Sequence, residues 1–232
     1  MLLVTGTLVS CKKDNVDNPV PGNNDGVAKV KTETYDNTQT YSYDGQGRVS
    51  KTESSDGSRT EYAYTPGKAT RKQYGINGAL IETYIDELNA DGLVAHETLG
   101  SNPNFESHMF YNSDKTIAKQ ITMGNGNTIT LDYFYSNGNH DSTRFTSNNG
   151  WYLTVVTTYY PDQPNVLSYK NYGDYKSGVG NKNMMKSEVY KYPDGSQGAT
   201  DNYTYEYDAK GRVIKSTASN GFNVNIGLLT YY

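Results

Sequence analysis

His96 and His108 are the sharpest pair of residues in this chain whose types and spacing could support chemistry. They flank the sequence Gly100-Ser-Asn-Pro-Asn104, and a hairpin closed by this turn places the two imidazoles opposite each other. Two imidazoles on one face of a sheet can bind a divalent metal ion, with Glu106 or Thr98 as a neighbouring ligand. The alternative is an exposed cross-strand pair without a ligand. It is favoured because no clear third ligand stands out, so we predict no metal and no other cofactor.

Aromatic residues that depart from the regular tyrosine pattern form a second candidate site. They are Trp151, Tyr152, Tyr169, Tyr172 and Tyr175. The first two follow an Asn-Gly turn, and the other three surround a long loop at residues 171–183. Long loops on a regular scaffold are where binding residues collect, and aromatic faces can stack on sugar rings or on a peptide. We predict a ligand-binding role for these five residues and a structural role for the other tyrosines.

The sequence contains none of the common catalytic motifs. It has no Gly-x-Ser-x-Gly, no phosphate-binding Gly-Lys-Ser/Thr loop and no His-Glu-x-x-His. The aspartates at Asp-Gly pairs are explained by turn chemistry, since their spacing does not match a calcium loop. The net charge of −4 argues against nucleic acid as a partner. We therefore predict no catalytic residues and a protein that is not an enzyme.

The elements that must position these residues are hairpins, and one hairpin sequence occurs twice. Residues 41–57 and 205–221 are identical at nine of seventeen positions. In each copy Tyr-x-Tyr reads as the end of one strand, Asp and Gly as the turn, and Arg-Val as the start of the return strand. A four-residue loop would place Tyr43 opposite Arg48, and Tyr207 opposite Arg212, whereas a bulge at Gly47 would shift this register.

A weaker form of this pattern recurs about every 23 residues from Val27 onward. The last residues before successive turns are 43, 64, 88, 111, 135 and 160. Each step accommodates two strands and two turns. The pattern predicts an all-β fold: one antiparallel meander of about 14–16 strands that closes into a barrel or flattens onto itself. Polar residues on both alternating faces of strands such as Arg48–Glu53 predict a water-soluble barrel, because lipid-facing Lys and Arg are costly.

The first 26 residues differ in composition from the rest. Leu8-Val9-Ser10-Cys11 resembles a bacterial lipobox, which predicts a signal peptide at residues 1–11 and a lipid on Cys11. Residues 12–26 are rich in Asn, Asp, Gly and Pro and have no hydrophobic periodicity, so we predict a disordered tether. Residues 27–232 are predicted to be a single repeat-built β domain. The only membrane contact expected is the N-terminal lipid.

The motif Tyr-x-Tyr-Asp-x-x-Gly-Arg-Val, present at residues 41–49 and 205–213, resembles the YD repeats of bacterial surface and toxin-shell proteins. The whole layout is similar to an uncharacterised family of bacterial lipoproteins with a porin-like fold. That resemblance implies a lipid-anchored protein. The residue after Cys11 is lysine rather than aspartate, which resembles a lipoprotein sorted to the outer membrane, facing the periplasm or the cell surface. Combined with the aromatic residues, it leads to a non-catalytic envelope protein that binds a carbohydrate or another extracellular ligand. The alternative is a structural or assembly partner in an outer-membrane protein complex.

Overall fold

The computed structural model describes residues 27–176 and 178–232. In chain order their strands are β1 (Val30–Thr34), β2 (Thr38–Tyr43), β3 (Val49–Ser54), β4 (Arg59–Thr65), β5 (Lys68–Tyr74), β6 (Leu80–Leu88), β7 (Val94–Leu99), β8 (Glu106–Tyr111), β9 (Ile117–Gly124), β10 (Asn127–Ser136), β11 (Asn139–Ser147), β12 (Tyr152–Pro164), β13 (Asn183–Lys191), β14 (Gln197–Tyr207), β15 (Val213–Ser219) and β16 (Val224–Tyr231). Each strand pairs antiparallel with its sequence neighbours, and β16 pairs with β1. The predicted all-β meander is confirmed, and it closes into a barrel of sixteen strands within the described residues.

The predicted signal peptide at 1–11, the lipid on Cys11 and the tether at 12–26 lie outside these residues.

In both copies the register of a four-residue loop is wrong by one residue, and the alternative, a register shifted by a bulge, is confirmed. Tyr43 pairs with Val49, and Tyr207 pairs with Val213. The cause is a bulge: Gly47 adopts a φ of +75° directly after the turn, so the return strand contains one extra residue. The bulge places each valine in the interior, since Val49 is 5% exposed and Val213 is fully buried.

The turn in each copy is held by the same ion pair. Asp44 Oδ1 accepts hydrogen bonds from the backbone N–H groups of Gln46 and Arg48, and Asp44 Oδ2 accepts one from Arg48 Nε at 2.8 Å. Asp208 makes the equivalent contacts with Arg212, with the Nε bond again at 2.8 Å. The nine shared residues therefore encode the same local structure at two places in the barrel.

Successive turns alternate between the two ends of the barrel, which explains the 23-residue period. The turns at the end of β2, β4, β6, β8, β10, β12 and β14 share one end, here called the loop end. Each repeat is therefore one odd strand followed by one even strand. The turn that begins at Tyr192 follows β13 and lies at the opposite end, so it does not continue the series of residues 43 to 160. The connection from β12 to β13, residues 165–182, is the long loop and begins earlier than the sequence predicted.

The recurring tyrosines have a structural role that repeats with the strands. In six hairpins the tyrosine hydroxyl of an even strand donates to a backbone carbonyl of the preceding odd strand, at 2.6–3.0 Å. The pairs are Tyr43–Val30, Tyr64–Val49, Tyr111–Val94, Tyr159–His140, Tyr205–Met185 and Tyr231–Val213. Burial keeps these phenols protonated and able to donate; it raises the pKa of Tyr111, for example, to about 12. A half-buried ring with a polar tip suits this arrangement.

The aliphatic core is small. Among the described residues the buried apolar side chains are Val30, Val49, Ala69, Val94, Val155, Met184, Val213 and Leu229. Partly buried tyrosine rings pack against this core; they are Tyr41, Tyr160, Tyr172, Tyr205 and Tyr231. No helix among the described residues is long and apolar enough to cross a bilayer.

Candidate functional site

The connection between β12 and β13 folds into the loop end of the barrel. This inner segment comprises residues 165–176 and 178–182 and contains a 3-10 helix at Tyr169–Tyr172. It reaches several walls of the barrel. The Tyr172 hydroxyl donates to Glu33 Oε1 at 3.0 Å, and the Val179 N–H donates to the Lys115 carbonyl at 3.1 Å. The inner segment therefore contacts β1 and also the turn between β8 and β9.

Gly173 lets the inner segment pass close to the first hairpin. It ends the 3-10 helix with a φ of +63°, and its carbonyl accepts a hydrogen bond from the Val49 N–H at 3.1 Å. A Cβ at this position would lie 2.7 Å from both the Gly47 carbonyl oxygen and the Val49 nitrogen. Only glycine combines this left-handed conformation with so close an approach.

A cluster of buried charges anchors the inner segment to strands β5, β6 and β7. Arg71 Nε lies 2.9 Å from Asp86 Oδ2, and the Arg71 guanidinium also contacts Glu97. From the inner segment, Lys176 contacts Glu97, and the Tyr175 hydroxyl donates to Asp86 at 2.5 Å. Two cations therefore face two carboxylates, and the cluster is electrically balanced.

The electrostatics of this cluster favour a charged Asp86. Burial by itself raises the pKa of the Asp86 carboxyl. The hydrogen bond and charge of Arg71 outweigh burial, with help from the Tyr175 hydroxyl and Lys176, so the pKa lies below its usual value. Burial, followed by the charge of Asp86, raises the pKa of Tyr175, which therefore stays a hydrogen-bond donor. Because Asp86 is fully buried, its negative charge is stabilised by these partners rather than by water.

A cavity of about 340 Å³ lies beside this cluster and is called here the inner chamber. Its lining combines two aromatic rings with amide, carboxylate and ammonium groups, and consists of Glu97, Met109, Ile117, Gln120, Tyr133, Tyr169, Asp174 and Lys176. A volume of this size falls at the lower end of the range for small-molecule sites. Apolar faces together with a few polar groups could hold a small polar molecule.

Tyr169 is the predicted aromatic residue best placed to meet a ligand. Its side chain lines the inner chamber and also a second cavity of about 220 Å³. It is 43% exposed, and its hydroxyl makes no hydrogen bond with the described residues. Tyr172 and Tyr175 differ, because their hydroxyls bind Glu33 and Asp86 and hold the segment in place.

The structure does not bring all five predicted aromatic residues together. Trp151 is 49% exposed at the turn between β11 and β12, at the end of the barrel opposite the inner segment. Tyr152 begins β12 beside it, where Arg144 stacks on its ring at 5.0 Å. The predicted set therefore falls into two groups at opposite ends of the barrel.

The predicted pairing of the two histidines is confirmed. His96 on β7 lies opposite His108 on β8, and their rings stack with centroids 4.6 Å apart. Glu106 joins them, and one ligand atom from each of the three residues lies within 4.8 Å of the others. Glu97 faces the interior, so alternation along β7 places His96 and its partners on the outer face.

Sequence reasoning missed the buried charges. Arg71, Asp86, Glu97 and Lys176 lie on three different strands and the inner segment, and no short motif links them. One signal was available in the sequence: a hairpin between β6 and β7 pairs Asp86 directly with Glu97. Without knowledge of which face was interior, that pairing did not distinguish them from surface charges.

Comparisons with known proteins support the fold. No family model and no curated protein matches the chain. Among solved structures, a porin-like protein from Bacteroides uniformis ATCC 8492 aligns with a TM-score of 0.65 and 16% identity, over 87% of this chain and 95% of that one. A porin-like protein from Bacteroides vulgatus ATCC 8482 aligns with a TM-score of 0.55 and 15% identity, over 88% and 99%. At these identities the likeness establishes a porin-like β-barrel fold and nothing finer.

Proposed function

We propose that this protein is a non-catalytic β-barrel protein of the bacterial cell envelope that binds a small carbohydrate in the inner chamber. The observation that carries the proposal is the pair of rings, Tyr133 and Tyr169, beside the polar groups of Gln120, Asp174 and Lys176. Aromatic faces can stack on the C–H faces of a sugar ring, while amide, carboxylate and ammonium groups hydrogen-bond its hydroxyls.

The polar groups of the chamber are held in position by neighbours, which favours binding. Gln120 Nε2 donates to Ser107 Oγ at 3.0 Å, and the Tyr133 hydroxyl lies 3.4 Å from Gln120 Oε1. Lys176 is held against Glu97. A pre-organised site loses less side-chain freedom when a ligand binds.

In the proposed envelope location, the barrel lies in water outside the bilayer, and a lipid on Cys11 attaches it to the membrane. Strands β1, β7 and β8 contain only 5, 6 and 6 residues, fewer than the roughly 9–11 that a membrane-spanning strand needs. Ion pairs such as Lys119–Asp132 and Lys215–Glu206 lie partly exposed along the barrel wall. A charge on a lipid-facing wall at the bilayer midplane would cost about 2–4 kcal/mol for each Lys or Arg.

The test is a glycan-array screen of the purified chain, followed by calorimetry on any glycan that binds. We expect Tyr169→Ala to abolish binding and Tyr169→Phe to retain most of it, because the ring face rather than the hydroxyl makes the stacking contact. Trp151→Ala is the matched control: a similarly exposed aromatic residue at the opposite end, whose loss should leave affinity unchanged.

Each outcome of this screen distinguishes between sites. Binding that is lost with Trp151→Ala and kept with Tyr169→Ala would move the site to the opposite end of the barrel. The absence of any glycan hit at high protein concentration would refute the carbohydrate proposal. Thermal melting of each variant separates loss of affinity from loss of fold.

A role as an assembly partner is the second candidate, favoured by an apolar row on β16. Val224, Ile226 and Leu228 alternate along this strand and are 64%, 46% and 49% exposed. Exposed apolar rows of this kind are common at protein interfaces. Crosslinking in bacterial envelopes followed by purification should recover a defined membrane protein with the parent chain but not with Ile226→Lys, if this second role is correct.

A further inference from the structure

We propose that His96, Glu106 and His108 form a zinc-binding site on the outer face of the barrel. The three side chains bring two imidazole nitrogens and a carboxylate oxygen within 4.8 Å of one another. Two imidazoles and one carboxylate are an established ligand set for zinc, and they leave a fourth position for water or for a ligand from another molecule. The site is separate from the inner chamber and does not depend on the proposed carbohydrate binding.

Two of the three distances within the cluster match the spacing of metal ligands. Glu106 Oε2 lies 3.4 Å from His96 Nε2 and 3.3 Å from His108 Nε2. A direct hydrogen bond between charged groups is shorter, about 2.7–2.9 Å. Two ligand atoms that are each about 2.05 Å from a tetrahedral zinc ion lie about 3.35 Å apart. The carboxylate oxygen is therefore already at ligand spacing from both nitrogens.

His96 provides an independent indication of a ligand. Its Nε2 atom is buried and makes no hydrogen bond among the described residues, although buried polar atoms usually have a partner. On the other side of the same ring, Glu87 Oε2 lies 3.3 Å from Nδ1. A carboxylate at Nδ1 holds the ring proton there, which leaves the lone pair of Nε2 to bind a metal ion.

The sheet pre-organises the cluster. His96 and His108 are paired across β7 and β8, and their rings are 13° from parallel. Glu106 is two residues before His108 on the same strand, so both side chains point to the same face. The His108 side chain is 37% exposed and has room for the small rotation that closes both nitrogens on one ion.

Zinc titration by calorimetry tests the site, using the full chain without a polyhistidine tag. The titrations are made in a Cys11→Ser background, because a thiolate would itself bind zinc. We expect one zinc ion per chain, and loss of this saturable binding in His96→Asn and in His108→Asn. Glu87→Gln should weaken binding by about 10- to 100-fold, the range observed for residues that orient a metal-binding histidine.

Glu53→Gln is the matched control, since Glu53 is an exposed carboxylate on β3 that contacts Lys51 rather than a histidine. Its zinc affinity should equal that of the parent. A cobalt(II) titration followed by visible absorption gives a second readout of the coordination sphere that does not depend on stability. The proposal is overturned if the parent shows no saturable zinc binding, or if both histidine variants bind zinc as tightly as the parent while melting at the same temperature.

Discussion

Two neighbouring residues of β7 belong to clusters that differ in how their charges are paired. Glu97 points into the barrel, where Arg71 and Lys176 neutralise it. His96 points outward, where a carboxylate lies near each of its ring nitrogens and its Nε2 lacks a hydrogen bond among the described residues. The inner cluster is balanced and holds the inner segment, whereas the outer cluster has ligand atoms to offer. Residue type alone did not distinguish the two clusters; the pairing of charges did, since Arg71 and Lys176 balance Asp86 and Glu97, although Asp86 Oδ1, like His96 Nε2, makes no hydrogen bond among the described residues.

The largest effect that would follow from this comparison is expected at Arg71. Arg71→Ala leaves the buried carboxylates of Asp86 and Glu97 with too little positive charge. Removing one partner of a buried ion pair typically costs about 3–5 kcal/mol. We expect a loss of this size in the free energy of unfolding, measured by urea denaturation at neutral pH.

The control for Arg71 is Arg59→Ala. Arg59 pairs with Glu61 on the barrel surface, with side chains that are 28% and 44% exposed. Exposed ion pairs contribute little, so the urea midpoint should remain close to that of the parent. Equal losses in the two variants would show that the inner cluster is no more important than a surface pair.

A smaller effect is expected when the inner segment loses one hydrogen bond. Tyr175→Phe removes the hydroxyl that donates to Asp86 and keeps the ring. Hydrogen bonds to charged groups contribute about 1.5–3 kcal/mol, and we expect a loss of that order in urea denaturation. Tyr169→Phe should leave stability unchanged. If the two variants unfold alike, Tyr175 does not anchor the segment.

The pH dependence of stability should carry the signature of the inner cluster. The pKa of Asp86 is lowered in the folded protein, so unfolded chains bind more protons as the pH falls through about 4. Stability from Asp86 is therefore present above its unfolded pKa and is lost as the pH falls further toward its folded pKa. Asp86→Asn should flatten the acid limb of a plot of unfolding free energy against pH.

Glu188 should affect the pH dependence of stability in the opposite direction to Asp86. Burial, followed by the charge of Asp201, raises the pKa of the Glu188 carboxyl. Its contribution is favourable at acidic pH and is lost as the pH rises through its folded pKa. Glu188→Gln should consequently stabilise the protein slightly at neutral pH. A parallel acid response in the Asp86 and Glu188 variants would contradict the assignment of these two signs.

The smallest change in the free energy of unfolding is expected for a substitution on the outer face when no metal is bound. Glu106→Gln in the presence of a chelator should change the free energy of unfolding by no more than about 0.5 kcal/mol, as is usual for exposed positions. With zinc in excess, the parent should gain stability by mass action and the variant should gain much less. Comparing the melting temperatures with and without zinc therefore separates the outer cluster from the inner one.

Local sequence alone determined the hairpins and much of the barrel. Asp44, Gly47 and Arg48 make contacts within five residues of one another, so the same residues specify the same turn near the end of the chain. The register that pairs His96 with His108 likewise follows from one short turn. The 23-residue period defined strand pairs because one turn at each end of the barrel belongs to every repeat.

Only the tertiary structure decided which residues meet across the interior. Tyr175 contacts Asp86 from 89 positions away, and Lys176 contacts Glu97 from 79, because the inner segment enters a barrel that β1 and β16 have closed. Turn chemistry and alternation act over a few residues and specify each hairpin. The path of a long connection depends instead on charges and hydrogen bonds that exist only after all sixteen strands have curved around it.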